Sequence, residues 1–275
     1  DSRILLFVPA VSRCCSALAV TGLKPMSTSQ YADQKKPKSH TVLLAAMTAL
    51  FAAAEQQEID CAKQAYNLYK TRLGDNVDVD FMLTGIGVSS TCYRLTKKIL
   101  ESEFEQNPYS LVVDLGIAGS YNLNKFPEGS VAVISKEYFG DLGFETPFGF
   151  ETLFQNQVLD ADLFPFKGGA VHLEPFKDEK LAKLLNKYEK GVGVTVQTIT
   201  GSKQKAEELC KKFTPDIESM EGAAVYYVCL QEGVPFVEIR TVSNAVGESD
   251  SSKWQTSLAL NSLLQVCKEI LDIYC

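Results

Sequence analysis

The chain has 275 residues, 45% of them hydrophobic, which suffices for one large domain or two small ones around a substantial core. Its 34 acidic residues outnumber 27 Lys and Arg, for a net charge of -7, and no basic block interrupts the body. That excludes the electrostatic footprint of a nucleic-acid binder and favours a small neutral or mildly charged ligand.

Residues 2–32 hold no acid, carry Arg3 and Arg13, and include the apolar run ILLFVPAVSRCCSALAV, followed by a polar, lysine-bearing stretch. This is the pattern of a removable targeting leader or a disordered segment. Arg13 breaks the run short of the roughly 20 apolar residues that a membrane span needs, so no membrane partner is expected. We assign residues 1–40 to that leader and 41–275 to one folded domain. The eight cysteines, at 14, 15, 61, 92, 210, 229, 267 and 275, show neither CxxC nor Cys/His spacing. Reduced thiols in a cytoplasmic protein are expected, with no zinc and no other cofactor.

From Thr41 onward strands and helices alternate. TVLLAAM (41–47) reads as a buried strand and the alanine-rich segment up to Tyr69 as helix; VDVDFMLTG (77–85) is a strand and Ser89–Glu101 a helix. YSLVVDLGIAGS and GSVAVISKEYF are two further strands, and GFET occurs twice, at 143–146 and 149–152. GVGVTVQTITGS and PFVEIRTVSNAVG bracket a helix opening at Met220, and residues 257–274 form a closing helix. Such alternation predicts an α/β domain of three layers, a twisted, mainly parallel central sheet flanked by helices, with ligands at the carboxyl ends of the strands.

Three of those ends have chemistry. Thr84-Gly85-Ile86-Gly87-Val88-Ser89-Ser90 leads from strand to helix, so its amides and the helix dipole can face an anion or a hydroxyl-rich ligand. It is no dinucleotide fingerprint, because Ser90 replaces the third glycine and Asp114 lies inside the next strand rather than at its end. Asp114-Leu115-Gly116-Ile117-Ala118-Gly119-Ser120 ends in residues small enough for a planar ligand to lie on the backbone, or simply in a tight turn. Ile217-Glu218-Ser219-Met220-Glu221-Gly222-Ala223-Ala224 puts Glu221 at a helix start, where its charge complements the dipole or its two oxygens hold adjacent ribose hydroxyls.

TGIGVSS, DLGIAGSY, IESMEGAA and IRTVSNAVGESDSSKW, in this order, resemble the purine nucleoside phosphorylase and methylthioadenosine/adenosylhomocysteine nucleosidase superfamily, and within it the futalosine hydrolases. The resemblance implies a nucleosidase-like α/β domain, a homo-oligomer, a purine nucleoside as substrate, and hydrolysis of futalosine to release hypoxanthine in menaquinone biosynthesis. By the same resemblance Met220 and Glu221 hold the ribose, Ile117, Ala118 and Gly119 line the base pocket, Thr84 and Gly85 border the substrate, and Asn244 serves catalysis. Asn244 stands where the methylthioadenosine nucleosidases have an aspartate, and its amide suits a 6-oxo base. Trp254 either bounds the pocket or belongs to the core. No arginine follows Met47 until Arg72, so the phosphate cradle of a phosphorylase is missing and hydrolysis is preferred, with Arg94 the nearby cation. The family's water-activating glutamate lies in an Ala-x-x-x-Glu setting after the first strand. Counting from Ala46, that position is Leu50, with Glu55 the nearest acid, so the alternatives are a methylthioadenosine/adenosylhomocysteine nucleosidase or nucleoside phosphorylase, and a non-catalytic nucleoside-binding or storage protein.

Overall fold

The computed structural model describes residues 47–74 and 77–275; the expected leader and residues 41–46 lie outside them. β1 (Met47–Ala53), α1 (Gln56–Leu73), β2 (Val77–Leu83), α2 (Val88–Phe104), β3 (Leu111–Ser120) and β4 (Val131–Phe139) follow in turn. The hairpin β5 (Gly143–Thr146) and β6 (Gly149–Thr152), β7 (Val171–His172), α3 (Glu179–Leu185), β8 (Glu189–Thr195) and α4 (Lys203–Phe213) come next. β9 (Ile217–Ser219), α5 (Gly222–Glu232), β10 (Phe236–Ala245) and α6 (Thr256–Asp272) complete the chain.

The main sheet runs β10-β4-β8-β9-β3-β1-β2, with β7 on β4, and β10 also pairs with β3. β3, β10, β4, β8 and β9 therefore close into a ring from which β1 and β2 extend. Pairings β1–β2, β1–β3, β3–β10, β4–β8 and β8–β9 are parallel, while β4–β10, β3–β9 and β4–β7 are antiparallel. The expected three-layer α/β class is the observed one. The two GFET copies pair with each other, Gly143 opposite Thr152 and Thr146 opposite Gly149.

Strand alternation sends β1 to two cores. Ala49, Phe51 and Ala53 pack with α1 and α6, whereas Leu50 faces the α2 and α5 side with Leu95, Ile99 and Val228. This corrects the sequence reading, which ended the first strand at Met47: the strand runs on to Ala53, so Thr48–Ala53 is strand rather than helix. A strand buried on both faces has no alternating pattern to fix its phase, so a continuous apolar run leaves its ends unmarked. Leu50 is fully buried in mid-strand and borders no pocket.

One ionic cluster crosses this core. In the parallel β3–β10 pair Glu238 lies opposite Asp114 and Arg240 opposite Gly116. The Arg240 guanidinium extends over the bare glycine; a Cβ there would sit 2.0 Å from Nη1. Its Nε donates to Glu238 Oε1 at 2.7 Å and its Nη2 to Asp114 Oδ2 at 2.5 Å, with all three side chains buried. Replacing the cation strands two carboxylates in a low-dielectric interior, so Arg240→Met should cost about 3–5 kcal/mol in urea unfolding. A loss below about 1 kcal/mol would show that the cluster is not electrostatically coupled.

Candidate active site

Where β1, β3 and β10 end beside the start of α5, a pocket of about 160 Å³ opens. Its wall includes four carboxylates, Glu55, Glu58, Glu218 and Glu221, and no Lys or Arg. Two larger hollows, on the outer face of α2 and beside α3, are mostly apolar and gather no comparable set of polar groups.

Glu58 stands in the first turn of α1, which starts at Gln56 shortly after β1 ends at Ala53. Its Oε2 accepts the Glu55 amide at 3.0 Å and its Oε1 the Ile117 amide at 2.8 Å, so both oxygens are oriented by backbone. The carboxyl is buried, and burial raises its pKa above the ordinary 4.5 against the lowering effect of the two amides and of Arg240, with Glu221 adding to the rise. Glu55, by contrast, is exposed.

Glu221 is the N-cap residue of α5, yet its side chain does not cap the helix. Ser219 Oγ accepts the Gly222 amide at 3.2 Å and Thr195 Oγ1 accepts the Ala223 amide at 2.7 Å, so other residues satisfy the helix start. Glu221 Oε1 instead accepts the Gly87 amide at 2.9 Å across the pocket. Gly87 has φ +87°, and a Cβ there would come within 3.0 Å of Gln197, so the turn that delivers this amide is a glycine position.

Glu218 is committed elsewhere: Tyr121 donates its hydroxyl to Oε2 at 2.5 Å and the Thr200 amide donates to Oε1 at 3.0 Å. At the opposite wall Asn244 Oδ1 accepts from Ser243 Oγ at 2.7 Å and Nδ2 donates to the Ala245 carbonyl at 3.0 Å. One N–H of the amide and one lone pair are left for a ligand.

A sequence profile of the phosphorylase superfamily matches residues 40–272. The chain belongs to that superfamily. The futalosine hydrolase of Streptomyces coelicolor is 30% identical over 70% of this chain and 79% of its own. That of Thermus thermophilus is 28% identical over 70% and 80%. A methylthioadenosine/S-adenosylhomocysteine nucleosidase of Buchnera aphidicola is 24% identical over 80% of this chain and 88% of its own. Since these superfamily relatives are all nucleosidases, the chain is an enzyme of that kind. In fold it resembles the solved futalosine hydrolase of Helicobacter pylori, with TM-score 0.65, 16% identity, and 83% of this chain and 97% of that one covered.

The pocket brings together Ile117, Ala118, Gly119, Met220, Glu221 and Asn244, and Trp254 joins them, its indole Nε1 donating to the Glu248 carbonyl at 3.2 Å. Thr84 and Gly85 are not in its wall: Thr84 is buried and bonds the Ala53 carbonyl, and the next residue, Ile86, reaches the pocket instead. Arg94 is exposed and donates to the Leu83 carbonyl, outside the pocket. The reading missed Glu58, although the Ala-x-x-x-Glu pattern is present as Ala54-Glu55-Gln56-Gln57-Glu58. With the strand's end at Ala53, the pattern is counted from Ala54 and falls on Glu58 rather than on Leu50.

The division of labour at α5 has a measurable consequence. Ser219→Ala should cost about 0.5–2 kcal/mol in denaturant unfolding through the lost cap. Glu221→Gln, which keeps an acceptor for Gly87, should stay within about 0.5 kcal/mol of wild type. Equal losses would return the capping role to Glu221.

Proposed function

We propose that the chain hydrolyses the N-glycosidic bond of futalosine, releasing hypoxanthine as a step of menaquinone biosynthesis. The observation that carries this reading is Glu58, a buried, backbone-oriented carboxyl facing Glu221 across the pocket, with a raised pKa. The relatives named futalosine hydrolase support the substrate.

In this reading Glu221 and Met220 hold the ribose, Ile117–Gly119 flank the base, and Asn244 donates its free N–H to O6 while its Oδ1 accepts from N7 once N7 takes up a proton from solvent as the base leaves. As the bond to the base lengthens the sugar becomes cationic, and the carboxylates of Glu58 and Glu221 stabilise that charge. Glu58 accepts the proton of the water that attacks the anomeric carbon. A wall with four carboxylates and no cation repels a phosphate dianion, which favours water over phosphate as nucleophile. Asn244 favours a 6-oxo over a 6-amino purine, which sets futalosine ahead of methylthioadenosine. A cytoplasmic homo-oligomer belongs to the same proposal, supported by the exposed stripe Tyr93, Leu100 and Phe104 on α2; size-exclusion chromatography with light scattering tests the oligomer. Among the described residues no helix is long and apolar enough to cross a membrane.

Incubation with futalosine, methylthioadenosine and inosine, with and without phosphate, followed by chromatography, should give hypoxanthine from futalosine at a rate indifferent to phosphate. Base release that requires phosphate would overturn hydrolysis. Glu58→Gln should lower kcat about 100- to 10,000-fold while ligand-induced thermal stabilisation persists. Because the base works ionised and its pKa is raised, kcat should fall with acidification at a pH above the ordinary carboxylate range. A profile flat down to that range would remove Glu58 from the role. Asn244→Asp should move preference towards aminofutalosine; unchanged relative rates would remove Asn244 from base recognition.

A further inference from the structure

Beneath the pocket, two fully buried glutamates from different strands meet where no cation serves both. Glu137 of β4 accepts the Thr195 hydroxyl on Oε2 at 2.8 Å, and its Oε1 has no protein donor. Glu238 of β10 accepts Arg240 Nε on Oε1, and its Oε2 has none. Both converge on Gly222, where a Cβ would lie 2.4 Å from Glu238 Oε1 and 2.7 Å from Glu137 Oε1. Gly193 is bare for the same reason, its imagined Cβ falling 1.7 Å from Glu137 Oε1.

We propose that Glu137 and Glu238 share one proton as a buried acid–carboxylate pair, and that the pair positions both pocket glutamates, Glu58 through Arg240 and Glu221 through Thr195. A single O–H between them satisfies the one unpartnered oxygen of each carboxyl, whereas two neighbouring anions repel in a low-dielectric interior. Towards Glu58, Glu238 fixes Arg240, whose Nη1 shares the space over Gly116 with Glu58: a Cβ on that glycine would lie 2.0 Å from Nη1 and 3.2 Å from Glu58 Oε1. Towards Glu221, Glu137 orients the Thr195 hydroxyl, which accepts the Ala223 amide and so seats the first turn of α5 directly after Glu221. Both are positioning residues, since neither lines the pocket.

Every packed element adds a charge or a polar group to this account. β3 contributes Asp114, β10 Arg240, α1 Glu58, the α5 cap Glu221, α5 itself Tyr226 and β8 Thr195. Burial pushes the Glu137 carboxyl well above its usual range and Glu238 raises it further, while Thr195 and Arg240 oppose the rise. Glu238 is raised by burial too, but Arg240 and a hydrogen bond with Glu137 hold it back. Because Arg240 is bonded to Glu238 and not to Glu137, the negative charge belongs on Glu238 and the shared proton on Glu137. A group protonated when folded and ionised when unfolded stabilises the fold at acid pH, and that stability is lost as pH rises from the unfolded value through the folded one.

Glu137→Gln mimics the protonated acid, donating to Glu238 and accepting from Thr195, and Glu137→Ala removes both bonds. The proposal rests on the nucleosidase reading only for its activity arm, so each full-length protein is also measured by infrared spectroscopy and by Tm across pH. At neutral pH wild type should show a protonated-carboxyl stretch that Glu137→Gln lacks, and the fall of Tm with rising pH should be shallower in Glu137→Gln. Glu137→Ala should lose at least about tenfold in kcat on futalosine, with Glu137→Gln restoring most of it. Identical infrared spectra for wild type and Glu137→Gln would overturn the shared proton, whether or not the alanine variant folds. Parallel Tm curves, offset equally at every pH, would likewise reduce Glu137 to packing. If no nucleoside is cleaved while the infrared band and the Tm slope behave as expected, the reaction assignment falls and the shared proton stands.

Discussion

The guanidinium of Arg240, laid across Gly116 and held by Asp114 and Glu238, is the interaction on which the rest depends. It ties β3 to β10, the two strands whose parallel pairing closes the ring and whose ends supply Ile117–Gly119 and Asn244 to the pocket. A buried cation with two carboxylate partners is a poor source of net stability, because desolvation offsets most of its Coulombic gain. Its effect is on register. Sliding β10 by one residue would move Arg240 off the bare Gly116 and put its charge on the opposite face of the sheet.

That constraint extends into the chemistry through small residues. Gly116, Gly193 and Gly222 are each bare where a carboxylate or guanidinium passes, so these glycines are set by charged neighbours rather than by turn geometry. The same economy appears at the start of α5. Ser219 and Thr195 satisfy its first amides, which frees Glu221 to face the pocket and take the Gly87 amide from the turn between β2 and α2. A carboxylate at a helix start thus belongs to the site and not to the helix.

The pocket's electrostatics follow from where its acids stand. Glu218 is saturated by Tyr121 and Thr200, and Glu55 lies in solvent, so Glu58 and Glu221 are the carboxylates both buried and turned inward. Two such groups near one another are costly in an empty pocket, and the cost is relieved by a ligand that develops positive charge between them.

Much of this was legible in the sequence. The alternation of strand and helix fixed the fold class, and the spacing of DLGIAGS, IESMEGAA and IRTVSNAVG marked three strand ends whose residues, Ile117–Gly119, Met220, Glu221 and Asn244, the fold gathers into one wall. Those segments are bounded by glycine and polar residues, so their ends are written locally. β1 is not: an apolar run buried on both faces has no phase, and ending it at Met47 rather than Ala53 put Leu50 where Glu58 is counted. Nor could the sequence announce Arg240 as a buried cation, since Asp114 meets it only through pairing between strands more than a hundred residues apart, although Glu238 stands two residues before it on the same strand. Local propensity and periodicity determined which elements form; the partners of each charge, and hence which carboxylates remained for the site, were decided by long-range register alone.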